Sequence, residues 1–226
     1  KEWIHGVAKA FDELARRNQG LEDQDIQLLQ SYLNAALDTD HKQEDDLSRA
    51  EPKEALLFGY NNGFRVVPGG NYTIMSAIYH GLLCRQPPDC NTWADTLLQF
   101  TQISKKLETW ECLLLFQAHP LHWAVQQKTN TLIKCLFEKN IEVFSQPLIS
   151  RTIWELADVL EQDLLLKIVK YWLYSDSPAL KQVAGDLISG LLIIGEASLE
   201  LQQLWQETFD SRDLNFRRGV IYATCS

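Results

Sequence analysis

Clustered positive charge is the first thing that the sequence lacks. The 226 residues include 30 acidic residues against 21 lysines and arginines, which gives a net charge of −9. The basic residues adjoin only in small groups such as Arg16 with Arg17 and Arg217 with Arg218. Nucleic-acid binding depends on clustered lysine and arginine that neutralise phosphates. The composition therefore predicts no nucleic-acid partner.

A long uninterrupted apolar run is also missing. The longest candidate, LISGLLIIGEASLELQQLW, is broken by Gly190, Gly195 and Glu196. A helix that spans a bilayer needs about 20 consecutive apolar residues. We therefore expect no membrane span. No signal-like stretch opens the chain, so we expect an intracellular location, in the cytoplasm.

The cysteines lack the spacing of a disulfide framework or of a zinc site. Their number is odd, at five, and several lie within apolar helical patterns. This usage is typical of a reduced intracellular chain with free thiols. His119 and His122 would need further ligands, such as Cys112 and Cys135, to hold a metal. Because neither Cys-x-x-Cys nor His-x-x-x-His spacing occurs, we predict no metal site and no cofactor.

Strand-like alternation is absent, and apolar residues recur at helical spacing instead. Residues 1–38 carry two such stripes, which predict an N-terminal helical hairpin. The stretch DTDHKQEDDLSRAEPKE and the glycine-containing segment after it predict a polar linker and turn-rich loop over 39–69. Short apolar blocks then follow one another over 70–226, including 121–126 and 131–138, and predict a domain of tandem short helices.

One of these helical segments has a counterpart further along the chain. HPLHWAVQQKTNTLIKCLFEKN, residues 119–140, aligns with residues 152–173 at a constant offset of 33. The alignment pairs these residues: Ala124 with Ala157, Leu132 with Leu165, Lys134 with Lys167, and Leu136 with Val169. A fixed period of this length indicates a repeat architecture.

The segment 119–140 resembles the ankyrin repeat, whose signature is Thr-Pro-Leu-His-x-Ala with a period of about 33 residues. Pro120, Leu121, His122 and Ala124 match this signature, and His119 stands in place of its threonine. The resemblance extends to 152–172 and, more distantly, to 70–84 and 185–205. It implies an all-α solenoid of helical hairpins, in which His122 has a structural role. A HEAT-like or armadillo-like solenoid is the alternative.

The same resemblance implies which residues meet a partner. In the ankyrin register Trp123 occupies the variable position that faces the concave groove, and exposed tryptophan is a common interface anchor. Gln126 and Gln127 share that surface, and Tyr79 with His80 take the equivalent places in the more distant unit. We therefore predict that these five residues bind a protein partner.

The expected function is non-catalytic protein–protein interaction through the concave face of the repeats, with no catalytic residue. The acidic composition favours a partner that has a basic face. Since the sequence starts at Lys1, we expect a module of a larger protein, and a regulatory or targeting segment of an effector or scaffold is one alternative. An enzyme with a dispersed site around Cys84, His80 and Asp89 is the other.

Overall fold

The computed structural model is helical in all the parts of the chain that it describes. Those parts are residues 2–37, 71–103, 119–139, 141–145 and 152–225. Within them there is no β-strand, so the all-α prediction is confirmed. The predicted linker and loop over 39–69 lie outside the described residues.

The described residues form two compact units. Unit 1 holds the described residues up to 139, and unit 2 holds those from 141 onward. The N-terminal helices are therefore in one unit with residues 71–139. The sequence analysis predicted them as a separate segment, residues 1–38. The two aligned segments, 119–140 and 152–173, fall on opposite sides of the division.

Unit 1 is built from five α-helices and one short 3-10 helix. They are α1 (Glu2–Arg17), α2 (Asp23–Leu37), α3 (Asn71–Leu83), α4 (Cys90–Ile103), the 3-10 helix η1 (His119–His122) and α5 (Gln126–Lys139). The helix α3 lies at the centre, where it contacts α1, α2 and α4. The helix α4 in turn contacts η1 and α5.

The central position of α3 follows from its composition, because its own apolar side chains occupy almost every face of the helix. Ile74, Met75, Ile78 and Leu82 are all fully buried. Its two small residues, Ala77 and Gly81, allow neighbouring chain to approach closely, and a Cβ on Gly81 would lie 2.6 Å from Ile26 Cδ1. A helix that is apolar on most faces belongs in the interior of a bundle.

The segment 119–140 differs from the predicted pair of short helices at 121–126 and 131–138. Its first part forms only the 3-10 turn η1, and the single helix α5 then runs without a break from Gln126 to Lys139. Polar residues at the expected break are buried within the helix. Thr129 Oγ1 donates to the Leu121 carbonyl at 2.8 Å, and Asn130 Nδ2 donates to the Gln126 carbonyl at 3.0 Å.

The described residues of unit 2 contain the 3-10 helix η2, a single α-helical turn at 152–155 and four longer α-helices. Apart from that turn they are η2 (Ile141–Ser145), α6 (Gln162–Tyr174), α7 (Pro178–Ile194), α8 (Leu199–Asp210) and α9 (Leu214–Cys225). The centre is α7, which contacts α6, α8 and α9. Ser177 caps its first turn by accepting from Leu180 N, and Gly195 ends it with φ of 79°. Serine and glycine are the residues favoured at these two positions.

The closest helix pair in unit 2 is α7 with α9. Gly185 and Gly219 lie at their crossing, where a Cβ on Gly219 would overlap the Gln182 carbonyl oxygen and one on Gly185 would overlap that of Phe216. Only glycine permits such a close approach of two backbones. The helix α9 follows the last apolar block that the sequence predicted as a helix, at 199–209.

Candidate functional site

The most exposed large apolar side chains of α5 and its preceding turn lie next to one another. Trp123 is 70% exposed and Val125 is 52% exposed, while Leu121, two residues before Trp123, is fully buried. Gln126 and Gln127 begin α5 and are also exposed. We call Trp123, Val125, Gln126 and Gln127 together the Trp123 surface. An exposed tryptophan is a common anchor residue at protein interfaces.

Backbone and side-chain hydrogen bonds fix this turn to its own unit. Trp123 N donates to the Pro120 carbonyl at 3.0 Å, which closes the 3-10 turn. Val125 N donates to Asn91 Oδ1 on α4 at 2.8 Å. One turn further along, Lys128 Nζ lies 2.6 Å from Asp95 Oδ2, also on α4. The turn that carries Trp123 is therefore fixed in position. The Trp123 indole also meets the His122 ring edge-on, with ring centroids 4.9 Å apart.

The other two predicted partner-binding residues are placed differently. Tyr79 and His80 are half-buried on α3. The Tyr79 ring meets the buried Trp93 ring edge-on, with centroids 5.3 Å apart. In the described part of the chain neither ring stacks on Trp123. Trp123 and the two glutamines are therefore all exposed, whereas Tyr79 and His80 make contacts inside unit 1.

His80 belongs to a polar cluster that ties α3 to α1. Its Nδ1 lies 2.6 Å from Asp12 Oδ1 and 2.9 Å from the Ser76 carbonyl oxygen. Because both oxygens are acceptors, this nitrogen carries the proton. Ser76 Oγ donates to Asp12 Oδ1 at 3.0 Å, and Arg16 Nη2 lies 3.0 Å from Asp12 Oδ2.

The cluster has the residue types of a Ser-His-Asp triad without its geometry. In a triad the aspartate accepts from one ring nitrogen while the serine hydroxyl meets the other, unprotonated nitrogen. Here Ser76 and Asp12 both face Nδ1, so the ring has no free lone pair toward the hydroxyl. The arrangement stabilises the contact between two helices and does not activate a nucleophile.

The side chains of the dispersed enzyme site do not bond to one another. Cys84 N donates to the His80 carbonyl at 3.0 Å within α3 and its last turn, but in the described residues no side-chain hydrogen bond joins His80, Cys84 and Asp89. Asp89 instead caps α4, where its Oδ1 accepts from Thr92 N at 3.0 Å. Burial and the neighbouring Asp89 carboxylate raise the pKa of the Cys90 thiol, which makes a reactive thiolate less available.

Metal-ligating side chains are dispersed as well. Across the described ranges, no group of three or more histidine, cysteine, aspartate or glutamate side chains converges on a point that could hold an ion. In the same ranges, no helix is both long and apolar enough to cross a bilayer.

An open cleft of about 720 Å³ lies in unit 1 beside the Trp123 surface. The turn after α1 forms one wall with Asn18 and Gln19, and residues 85–89 with Asn91 form the other. Asn91 connects the two features, since its side chain lines the cleft and accepts from Val125 N. Sequence reasoning missed this cleft, because its walls come from loops that are more than 60 residues apart.

Comparison with known proteins gives no relative: no family model, no curated protein and no solved structure matches this chain.

Proposed function

We propose that this chain is a non-catalytic module for protein–protein interaction, which binds its partner through the Trp123 surface. The observation that carries the proposal is the 70% exposure of Trp123 on a turn held by η1 and by Asn91. Tryptophan dominates binding energy at many interfaces because it buries a large apolar area with few rotatable bonds. A fixed turn lowers the entropy lost on binding.

We also propose that residues 119–140 and 152–173 are degenerate copies of one ankyrin-like unit, within a solenoid whose concave face would include the Trp123 surface. Matching burial in the second helix of each copy supports this. Leu132 and Leu165 are both buried, as are Leu136 and Val169, while Lys134 and Lys167 are both exposed. HEAT-like or armadillo-like packing is the alternative arrangement of the same helices.

The chemistry of the chain supports a basic, proteinaceous partner. The net charge of −9 favours association with a surface of opposite sign and disfavours nucleic acid. Cys84, Cys90, Cys135 and Cys225 are free thiols, which supports a reducing, cytoplasmic setting. In this proposal the module serves a larger scaffold or effector protein as its binding or targeting segment.

Affinity capture with three forms of the chain tests the proposal. The bait is the wild type, Trp123→Ala, or the control Trp154→Ala, which removes a 47% exposed tryptophan from unit 2. Quantitative mass spectrometry then compares the captured proteins. We expect specific partners to be lost with Trp123→Ala and kept with Trp154→Ala. Retention of every partner by a folded Trp123→Ala variant would rule out this surface.

A further inference from the structure

The two walls of the cleft beside the Trp123 surface are tied firmly together. Arg85 Nε and Nη2 both donate to the Leu21 carbonyl, at 2.9 and 2.6 Å. Leu21 N donates to the Gly81 carbonyl at 2.9 Å. Gly20, with φ of 108°, passes so close that a Cβ there would lie 2.7 Å from Arg85 Cγ. The cleft is therefore preformed, which limits the entropy that a ligand must overcome.

Carboxamide side chains make up half of the eight residues that line this cleft. Asn18 and Gln19 stand on one wall, and Gln86 and Asn91 stand on the other. In the described part of the chain, the side chains of Asn18, Gln19 and Gln86 make no hydrogen bond. Asn91 uses only its Oδ1, on Val125 N. Each carboxamide offers both a donor and an acceptor, as a peptide group does.

Charge narrows the class of ligand further. Arg85 is the single cation among the described lining residues, and it is engaged by the Leu21 carbonyl, by Asp23 Oδ1 at 2.9 Å and by Asp89 Oδ2 at 3.5 Å. The N-terminus of α4, which could attract an anion, is already capped by Asp89. A phosphate or an acidic side chain would therefore meet a carboxylate and no uncommitted positive charge.

We propose that this cleft binds an extended, non-acidic peptide segment by its main chain. The carboxamides on the two walls pair with N–H and C=O groups of the segment, as side-chain amides can with any peptide backbone. Because Asn91 joins the cleft to the Trp123 turn, the segment leads from the cleft onto the Trp123 surface. The proposal rests on the proposed function for the existence of a protein partner. It adds that the partner presents an extended segment to the cleft.

Selection from a defined peptide library supplies a probe. Random peptides of about twelve residues, which extend to about 40 Å, are displayed on phage and selected on the full chain. A selected peptide is then synthesised, together with a copy that is N-methylated at its backbone amides. Fluorescence anisotropy measures Kd for the wild type, for Asn18→Ala with Gln86→Ala, for Trp123→Ala, and for the control Gln27→Ala on the exposed face of α2.

We expect the double cleft variant to weaken binding more than tenfold, because each lost hydrogen bond contributes about 1 kcal/mol. N-methylation of the peptide should weaken binding at least as much, and Gln27→Ala should leave the Kd unchanged. A peptide that depends on Trp123 but not on the cleft residues would overturn this inference and leave the proposed function standing. Failure to select any peptide, or equal binding of the N-methylated copy, would also overturn it.

Discussion

Asn91 Oδ1 accepts a hydrogen bond from the backbone N–H of Val125 at 2.8 Å, across 34 positions of the chain. The bond places the first turn of α4 against the turn that presents Trp123. It also joins the carboxamide-lined cleft to the exposed indole, so one side chain connects the two features on which binding is proposed to depend. Removing it should loosen the turn while the core of unit 1 stays intact.

Asn91→Ala is expected to raise the hydrogen-exchange rate of the Val125 amide about fivefold, because the amide loses a bond that contributes about 1 kcal/mol. Asn91→Asp is the matched control, since its carboxylate oxygen can accept from the same N–H. Exchange at Val125 that is equally fast in both variants, or unchanged in both, would show that Asn91 does not hold the turn.

Asp12→Ala is expected to destabilise unit 1 by about 1–3 kcal/mol, because in a partly buried site the Ser76 hydroxyl loses its acceptor and the His80 N–H keeps only the Ser76 carbonyl. Urea denaturation followed by circular dichroism measures the effect. Glu13→Ala removes an adjacent, exposed carboxylate whose ion pair with Arg17 spans 3.9 Å. That control should cost less than about 0.5 kcal/mol. Similar losses in the two variants would contradict a stabilising role for the cluster.

Gly219→Ala is expected to destabilise unit 2 by about 1–3 kcal/mol, since the new methyl overlaps the Gln182 carbonyl and forces α7 and α9 apart. Gly190→Ala, within α7, is the control because a Cβ there meets nothing within 4 Å. It should stabilise the helix by about 0.5–1 kcal/mol. The same denaturation experiment must give the two variants opposite signs if the crossing is as close as described.

Asp186 on α7 makes the stability of unit 2 depend on pH. Burial raises the pKa of its carboxyl from 3.8 to about 6. The folded state therefore favours the protonated form, and this contribution to stability is complete below pH 3.8 and is lost as pH rises through about 6. Asp186→Asn, which stays neutral, should raise the Tm at pH 7 relative to the wild type but not at pH 4. A Tm difference that does not vary with pH would refute this.

Helical content was predictable because apolar spacing directly reports the buried face of a helix. The two apolar stripes within residues 1–38 predicted two helices, and the structure has α1 and α2 there. The break that we expected between two short helices, at 127–130, was wrong, because polar residues between apolar blocks are typical of a turn. Thr129 and Asn130 instead satisfy their side chains on carbonyls of the same segment, and so they can be buried in α5.

The polar cluster and the cleft could not be predicted in the same way, since both join distant positions. Ser76 and His80 are four residues apart, so the sequence alone predicts that they share one face of a helix. Nothing in the sequence indicates that Asp12 is their partner. The helix α9 was missed because Gly219 and two adjacent arginines interrupt its apolar pattern. The glycine is there for the close contact with α7, which only tertiary structure reveals.

The central claim is that Trp123 anchors a protein partner, and the affinity of one captured partner tests it most directly. Titration calorimetry compares the wild type with Trp123→Ala and with the control Trp154→Ala. Loss of an anchor residue costs about 2 kcal/mol or more, so the Kd for Trp123→Ala should rise about thirtyfold or more. The Kd for Trp154→Ala should remain that of the wild type. Unchanged affinity in a folded Trp123→Ala variant would contradict the claim.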